Sequence, residues 1–275
     1  MTAASTWGLD RVAADALVEM LGWAPEDGPA RLAEALPEHL VCGSTAKLAA
    51  MSSADVPPGA DAAGLVARIV DGRLGRWPTS TSETTSPAWS CWVLATVMAG
   101  LLEHADVAPV QVAAVRRVDD RAPVVDFHST VLVHHGPEPW VCDPYFGAAI
   151  RLPAEPGVEA TSDHGVATLR AAREPDGRWL LHAHHLRWEE GCSYRVVSPS
   201  LDRGDVHALC AVSATLSGVP FRNYARLHVD GDIVDMVESS EGTAEVRRSP
   251  TDVENVPTWA DAVDVFADWT GVRIT

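Results

Sequence analysis

From Trp92 to Ala105 the chain carries Val93, Leu94, Val97, Met98, Leu101 and Leu102, a stripe so broad that a helix built from it has almost no face left for water. Such a helix must lie inside, and the rest of the chain has to wrap it. Just before it, Pro78-Thr-Ser-Thr-Ser-Glu-Thr-Thr-Ser-Pro87 is rich in hydroxyls and has a proline at each end, a composition that makes a loop. Cys91 therefore stands at the N-terminus of a buried helix.

The flanks differ in period. Residues 10 to 50 read as helices, with Leu17, Met20 and Leu21 on one face and Leu32, Leu36 and Leu40 at helical spacing, and Leu65 to Ile69 reads as one more short helix. Gln111 to Val118, Ser129 to His134, Pro139 to Cys142, Trp179 to His185 and Ser193 to Val197 alternate or are β-branched, which makes the middle β-rich. The last stretch has strand-like Ala225 to Val229 and Ile233 to Val237, then a helix around Trp259 to Trp269. No internal repeat is visible. The class is α+β, and 275 residues, 47% of them hydrophobic, suffice for one large domain or for two to three smaller layers with real cores.

Charge narrows the partners. A net charge of −17, from 38 acidic and 21 basic residues, argues against nucleic acid and against an anionic membrane, both of which demand a basic footprint. A small substrate remains compatible with it. Cys42, Cys91, Cys142, Cys192 and Cys210 are odd in number, widely spaced and never in C-x-x-C form, so neither a disulfide framework nor a zinc finger is expected. No run approaches the roughly 18 apolar residues of a membrane span, and the N-terminal segment has no signal-like core, so a cytoplasmic location is expected.

A thiol at a helix start can be held as thiolate by the unpaired N–H groups and the positive end of the dipole. Most cysteines are simply small core residues, and for the other four that reading stands. His128 opens His-Ser-Thr-Val-Leu-Val, Asp143 closes Trp-Val-Cys-Asp, and Gly136 with the prolines that follow it, Pro137 and Pro139, marks a turn between them. A hairpin whose turn is centred between His135 and Gly136 places His128 opposite Asp143, with Cβ atoms about 5 Å apart, so that the carboxylate fixes the imidazole tautomer. Alternation then turns Val131, Val133 and Cys142 to the other face. Nucleophile, base and orienting acid thus have a route to one another. A merely structural His–Asp pair is the plainer alternative.

These three segments resemble those of the arylamine N-acetyltransferases. The family's R-G-G-x-C-F-E, H-x-x-L-x-V and V-D-x-G-F-G are similar to Trp89-Ser90-Cys91-Trp92-Val93, His128-Ser-Thr-Val-Leu-Val133 and Cys142-Asp143-Pro-Tyr-Phe-Gly147. The His-to-Asp spacing is the family's own, and the Cys-to-His spacing is within a residue of it. More weakly, Met20-Leu21-Gly22 falls where the family has R-I-G, and Pro220-Phe221-Arg222-Asn223 resembles its F-x-x-N. The likeness implies a helical domain over 1–88, a β-barrel domain over 89–200 and an α/β lid over 201–275, around a core like that of cysteine proteases. The departures are Pro87-Ala88-Trp89 for Arg-Gly-Gly, Trp92-Val93 for Phe-Glu, Met20 for the Arg of R-I-G, and no P-F-E-N near Cys42-Gly43-Ser44-Thr45. The family's Arg and Glu are lost together, as if an ion pair were replaced as a unit.

What the likeness implies is a ping-pong acyl transfer. Cys91 takes an acyl group from a thioester such as acetyl-coenzyme A or another acyl-coenzyme A, a co-substrate rather than a resident cofactor, and an aromatic amine removes it with His128 as base and Asp143 as orienter. No metal is required. Trp92, Phe146 and Phe221 are candidates for lining the amine pocket, ordinary core positions being the alternative for each, and Gly147 is expected to let the backbone approach the donor. Other readings of the same residues are an amide synthase of a biosynthetic pathway using a larger acyl thioester, a hydrolase with a Cys-His-Asp site, and a binding protein on a decayed scaffold. A metal site from His134, His135, His182, His184 and His185 is the least favoured, since no glutamate-bearing metalloenzyme motif accompanies them.

Overall fold

The computed structural model describes residues 7, 9, 11–43, 84–86, 91–107, 109–118, 128–134, 138–164, 167–185, 188–201, 205–206, 223–239, 241–248 and 251–274. The helix expected at Leu65 to Ile69, most of the Pro78 to Pro87 loop, and Phe221 lie outside these residues.

The N-terminal layer follows the helical period. Helix α1 (Arg11–Leu21) buries Ala13, Ala14, Leu17 and Leu21, and Gly22 with φ +57 ends it in the left-handed conformation glycine tolerates best. Helix α2 (Gly28–His39) buries Leu32, Ala33, Ala35 and Leu36. Helix α3 (Cys91–His104) is the expected interior helix, buried without a break from Leu94 to Leu102. It shares one apolar core with α1 and α2, and Val112, Val131, Val133 and Cys142 of the adjoining sheet close that core from the other side.

The central sheet has eight strands. They are β3 (Val110–Arg117), β4 (His128–Val133), β5 (Trp140–Asp143), β6 (Ala148–Arg151), β7 (Glu159–Asp163), β8 (Ala167–Arg173), β9 (Trp179–His185) and β10 (Trp188–Leu201). Their order is β6-β5-β4-β3-β10-β9-β8-β7, antiparallel throughout, and the sheet curls until β6 lies beside β7 and β8. His164 bridges this seam: its Nε2 lies 2.8 Å from the Ala149 carbonyl oxygen and 2.7 Å from Ser162 Oγ, and its Nδ1 is 3.0 Å from Glu34 Oε1 on α2. Inside the curl Ala113, Val115, Leu132, Val141, Phe146, Leu169, Leu181 and Tyr194 form a second core.

A third core belongs to a smaller sheet. Strands β11 (Tyr224–Val229), β12 (Asp232–Glu238), β13 (Ala244–Arg247) and β14 (Val253–Val256) form a meander that the early β1 (Cys42–Gly43) extends at β11. Helix α4 (Trp259–Thr270), capped by the reciprocal Thr258–Asp261 bonds and ended at Gly271, covers one face with Ala262, Val263 and Phe266. Short β2 (Thr84–Ser86) and β15 (Val272–Ile274) pair in parallel. Neither β1 nor β2 carries a period long enough to be read from sequence.

Candidate active site

Cys91 is the first residue of α3 and is half-buried. Its sulfur is hydrogen-bonded to the His128 side chain and accepts the backbone N–H of Ser129. His128 and Asp143 are both buried, and His128 Nε2 donates to Asp143 Oδ2 at 2.7 Å, which leaves Nδ1 as the ring nitrogen for the thiol. Asp143 Oδ1 is held independently, accepting the backbone N–H of Tyr145 at 2.9 Å and of Phe146 at 3.3 Å from the turn that follows β5. One carboxylate oxygen thus fixes the turn while the other fixes the imidazole.

The register differs from the expected one. Val131 faces Cys142, Leu132 faces Val141 and Val133 faces Trp140, a displacement of two residues that carries Asp143 beside Thr130 and makes His128 its diagonal neighbour. A shift of two preserves the face, so the side chains still converge. Nor is their face a polar display. Leu132 and Val141 line the barrel interior on that side, while Val131, Val133 and Cys142 pack against the helices.

Charge follows from this packing. Burial works against a Cys91 thiolate, yet the charge of His128, the hydrogen bond to it and the Ser129 N–H outweigh burial and set the thiol below its ordinary range. Burial likewise opposes a charged His128, but Asp143 and Cys91 raise it to about 10. Cys42 and Cys142 are fully desolvated, and burial pushes both thiols up. Of Cys42, Cys91 and Cys142, only Cys91 is shifted toward the reactive form.

The other expected site residues fall in different places. Trp92 is 1% exposed and belongs to the helical core. Phe146 is buried in the barrel, edge-on to the His128 ring at 5.9 Å between centroids. Gly147 has φ +61, and a Cβ built there would meet His228 Cε1 at 2.6 Å, Nδ1 at 2.8 Å and Pro37 Cγ at 3.1 Å. The room left by the missing side chain is filled by His228. Gly147→Ala is expected to lose about 1–3 kcal/mol of stability from strain and overlap. An unchanged denaturation midpoint for that variant would refute the packing described.

Several neighbours were missed by sequence reasoning. The rings of Tyr145 and Tyr194 stand 5.2 Å and 6.0 Å from that of His128, and Arg226, His228 and Asp235 are buried behind Tyr145 and Gly147. One signal was present: a turn at Asp230-Gly231 places Arg226 opposite Asp235, and the two turn residues do have φ of 52° and 83°. Among the described residues no group of three His, Cys, Asp or Glu side chains could hold a metal ion. Among the same residues no helix is long and apolar enough to cross a membrane.

Solved structures similar to this chain are arylamine N-acetyltransferases. That of Mycobacterium abscessus aligns with a TM-score of 0.70 over 100% of this chain and 94% of its own, at 14% identity. That of Nocardia farcinica aligns with 0.69 over 99% and 93%, at 16% identity. That of Mycobacterium marinum aligns with 0.67 over 94% and 92%, at 17% identity. No protein-family model and no curated protein matches the sequence. The chain therefore has the arylamine N-acetyltransferase fold, and its chemistry has to be argued from its own residues.

Proposed function

We propose that the chain is a cysteine-dependent N-acyltransferase that moves an acyl group from a thioester to an aromatic amine through an acyl-Cys91 intermediate. The observation that carries this reading is the continuous relay from the Cys91 sulfur through His128 to Asp143, with 2.7 Å between His128 Nε2 and Asp143 Oδ2. The fold it shares with acetyl-transferring enzymes supports the same reading.

In the first half-reaction the Cys91 thiolate attacks the thioester carbonyl carbon, the S–C bond to Cys91 forms, and the bond to the donor sulfur breaks. His128 gives its proton to the departing thiolate. In the second, the amine nitrogen attacks the acyl carbon, His128 takes the amine proton, the N–C bond forms and Cys91 leaves as thiolate beside an imidazolium. Asp143 holds the ring and stabilises its charge in both. The donor is of the acyl-coenzyme A class, acetyl or larger, and is consumed rather than bound permanently.

Incubation with acetyl-coenzyme A and, in parallel, with a bulkier aromatic acyl thioester is expected to add the mass of one acyl group to the Cys91 peptide. An added arylamine should then discharge it. Which donor loads faster separates acetyl transfer from amide synthesis with a larger acid. No adduct from either donor, together with unchanged turnover by Cys91→Ala, would overturn the proposal.

A further inference from the structure

The sheet face turned away from α4 carries Tyr224, Arg226 and His228 on β11 and Asp235 on β12, all packed behind the turn that follows Asp143. No step drawn above uses them. Arg226 and Asp235 are both 0% exposed and form a bidentate pair, Nε to Oδ1 and Nη2 to Oδ2, each at 2.7 Å. The guanidinium lies 4.4 Å from the Tyr145 ring centre and 5.9 Å from that of Tyr224, and the two phenol rings stand 6.1 Å apart between centroids. The other side of Tyr145 meets the site: its ring edge is against His128, and its N–H is on Asp143 Oδ1.

Stability alone does not account for this pair. Withdrawing two charges from water costs several kcal/mol per ion, and an apolar pair of similar shape often serves stability as well or better. What an apolar pair would not supply is a planar cation held in one orientation against the Tyr145 ring. We infer that Arg226, oriented by Asp235, is a positioning residue for the Cys91–His128–Asp143 relay and acts through Tyr145. The inference rests on the acyl-transfer reading above. With its ring clamped, Tyr145 keeps its N–H on Oδ1, Asp143 does not rotate, and Oδ2 stays on His128 Nε2. Released, the carboxylate turns, His128 loses its orienting partner, and the thiolate loses its counter-ion.

The test is the pH dependence of Cys91 alkylation by iodoacetamide, read by mass spectrometry on the full chain alongside acyl loading. The double variant Arg226→Met with Asp235→Leu removes the pair as a unit, and Tyr145→Leu removes the link while keeping the pair. Both are expected to move the alkylation midpoint up by about one pH unit and to slow alkylation roughly tenfold at pH values below the wild-type midpoint. Phe266→Leu in the α4 core, which lowers stability without touching the site, should leave the midpoint in place. A folded double variant whose pH profile superimposes on the wild type overturns the inference. If the double variant does not fold, a wild-type profile in Tyr145→Leu overturns it equally. A wild-type protein with neither an acyl adduct nor a lowered thiol midpoint marks instead the failure of the acyl-transfer reading, and the inference falls with it.

Discussion

His128→Gln is expected to slow acyl loading of Cys91 at pH 7 by about a thousandfold, the largest single effect the site predicts. In the wild type His128 is raised to about 10 and the Cys91 thiol is lowered from its ordinary value by the charge of His128, so the thiolate–imidazolium pair is favoured between the two. Glutamine removes the counter-ion and leaves burial, which on its own pushes the thiol up. Alkylation should then require a pH above the usual thiol range, where the wild type has already reached its plateau. Asp143→Asn keeps an oxygen near Nε2 but removes the charge that stabilises the imidazolium, and a loss of roughly a hundredfold or more is expected. Stopped-flow alkylation from pH 5 to 10, with acyl loading measured in parallel, checks both variants. Rates within a few-fold of wild type for His128→Gln would mean that the ring is structural. Cys42 and Cys142 serve as internal controls, because both are desolvated and should stay unlabelled while the fold holds.

What was legible followed the strength of each local pattern. The apolar run after Trp92 announced α3 and put Cys91 at its start, and Trp179 to His185 was read with its observed bounds. The His128–Asp143 meeting was legible in its face although not in its register, because parity survives a displacement of two residues while turn position does not. Strands β6 and β8 were missed because Ala148, Ala149, Ala167, Ala171 and Ala172 carry little strand propensity, and the barrel interior accepts them on volume rather than preference. Strand β7, Glu-Ala-Thr-Ser-Asp, is polar and half exposed, so its place at the seam rests on His164 and not on an apolar face. Strands β1 and β2 are set by partners far along the chain, at Ala225–Arg226 and at Val272–Ile274, and no local period could reveal them. Arg226 and Asp235 were overlooked for a different reason: charged residues on a strand read as solvent-facing, and only the third layer shows that their face is inside.

Acid lability is the second large effect, and it centres on His228. The ring is 6% exposed, lies against Gly147, and its Nε2 has no hydrogen-bond partner. Burial and then the charge of Arg226 lower its pKa to about 3, with Asp235 opposing them. An unfolded histidine takes up its proton near pH 6.5. Between those two values the unfolded chain binds a proton that the folded chain refuses, so stability falls with falling pH at up to about 1.4 kcal/mol per unit, and above pH 7 this contribution is flat. His128 has the opposite sign: its raised pKa stabilises fully below 6.5 and is lost only as pH climbs toward 10, so it adds no slope to the acid limb. The limb between pH 6.5 and 4.5 should therefore lose about 2–3 kcal/mol through His228. His228→Phe keeps a flat ring on Gly147, removes the unpartnered Nε2 and cannot protonate. Denaturant midpoints of the two proteins should converge near neutrality and separate as pH falls, with the variant the more stable. Parallel curves from pH 7 to 4 would show that the proton goes elsewhere.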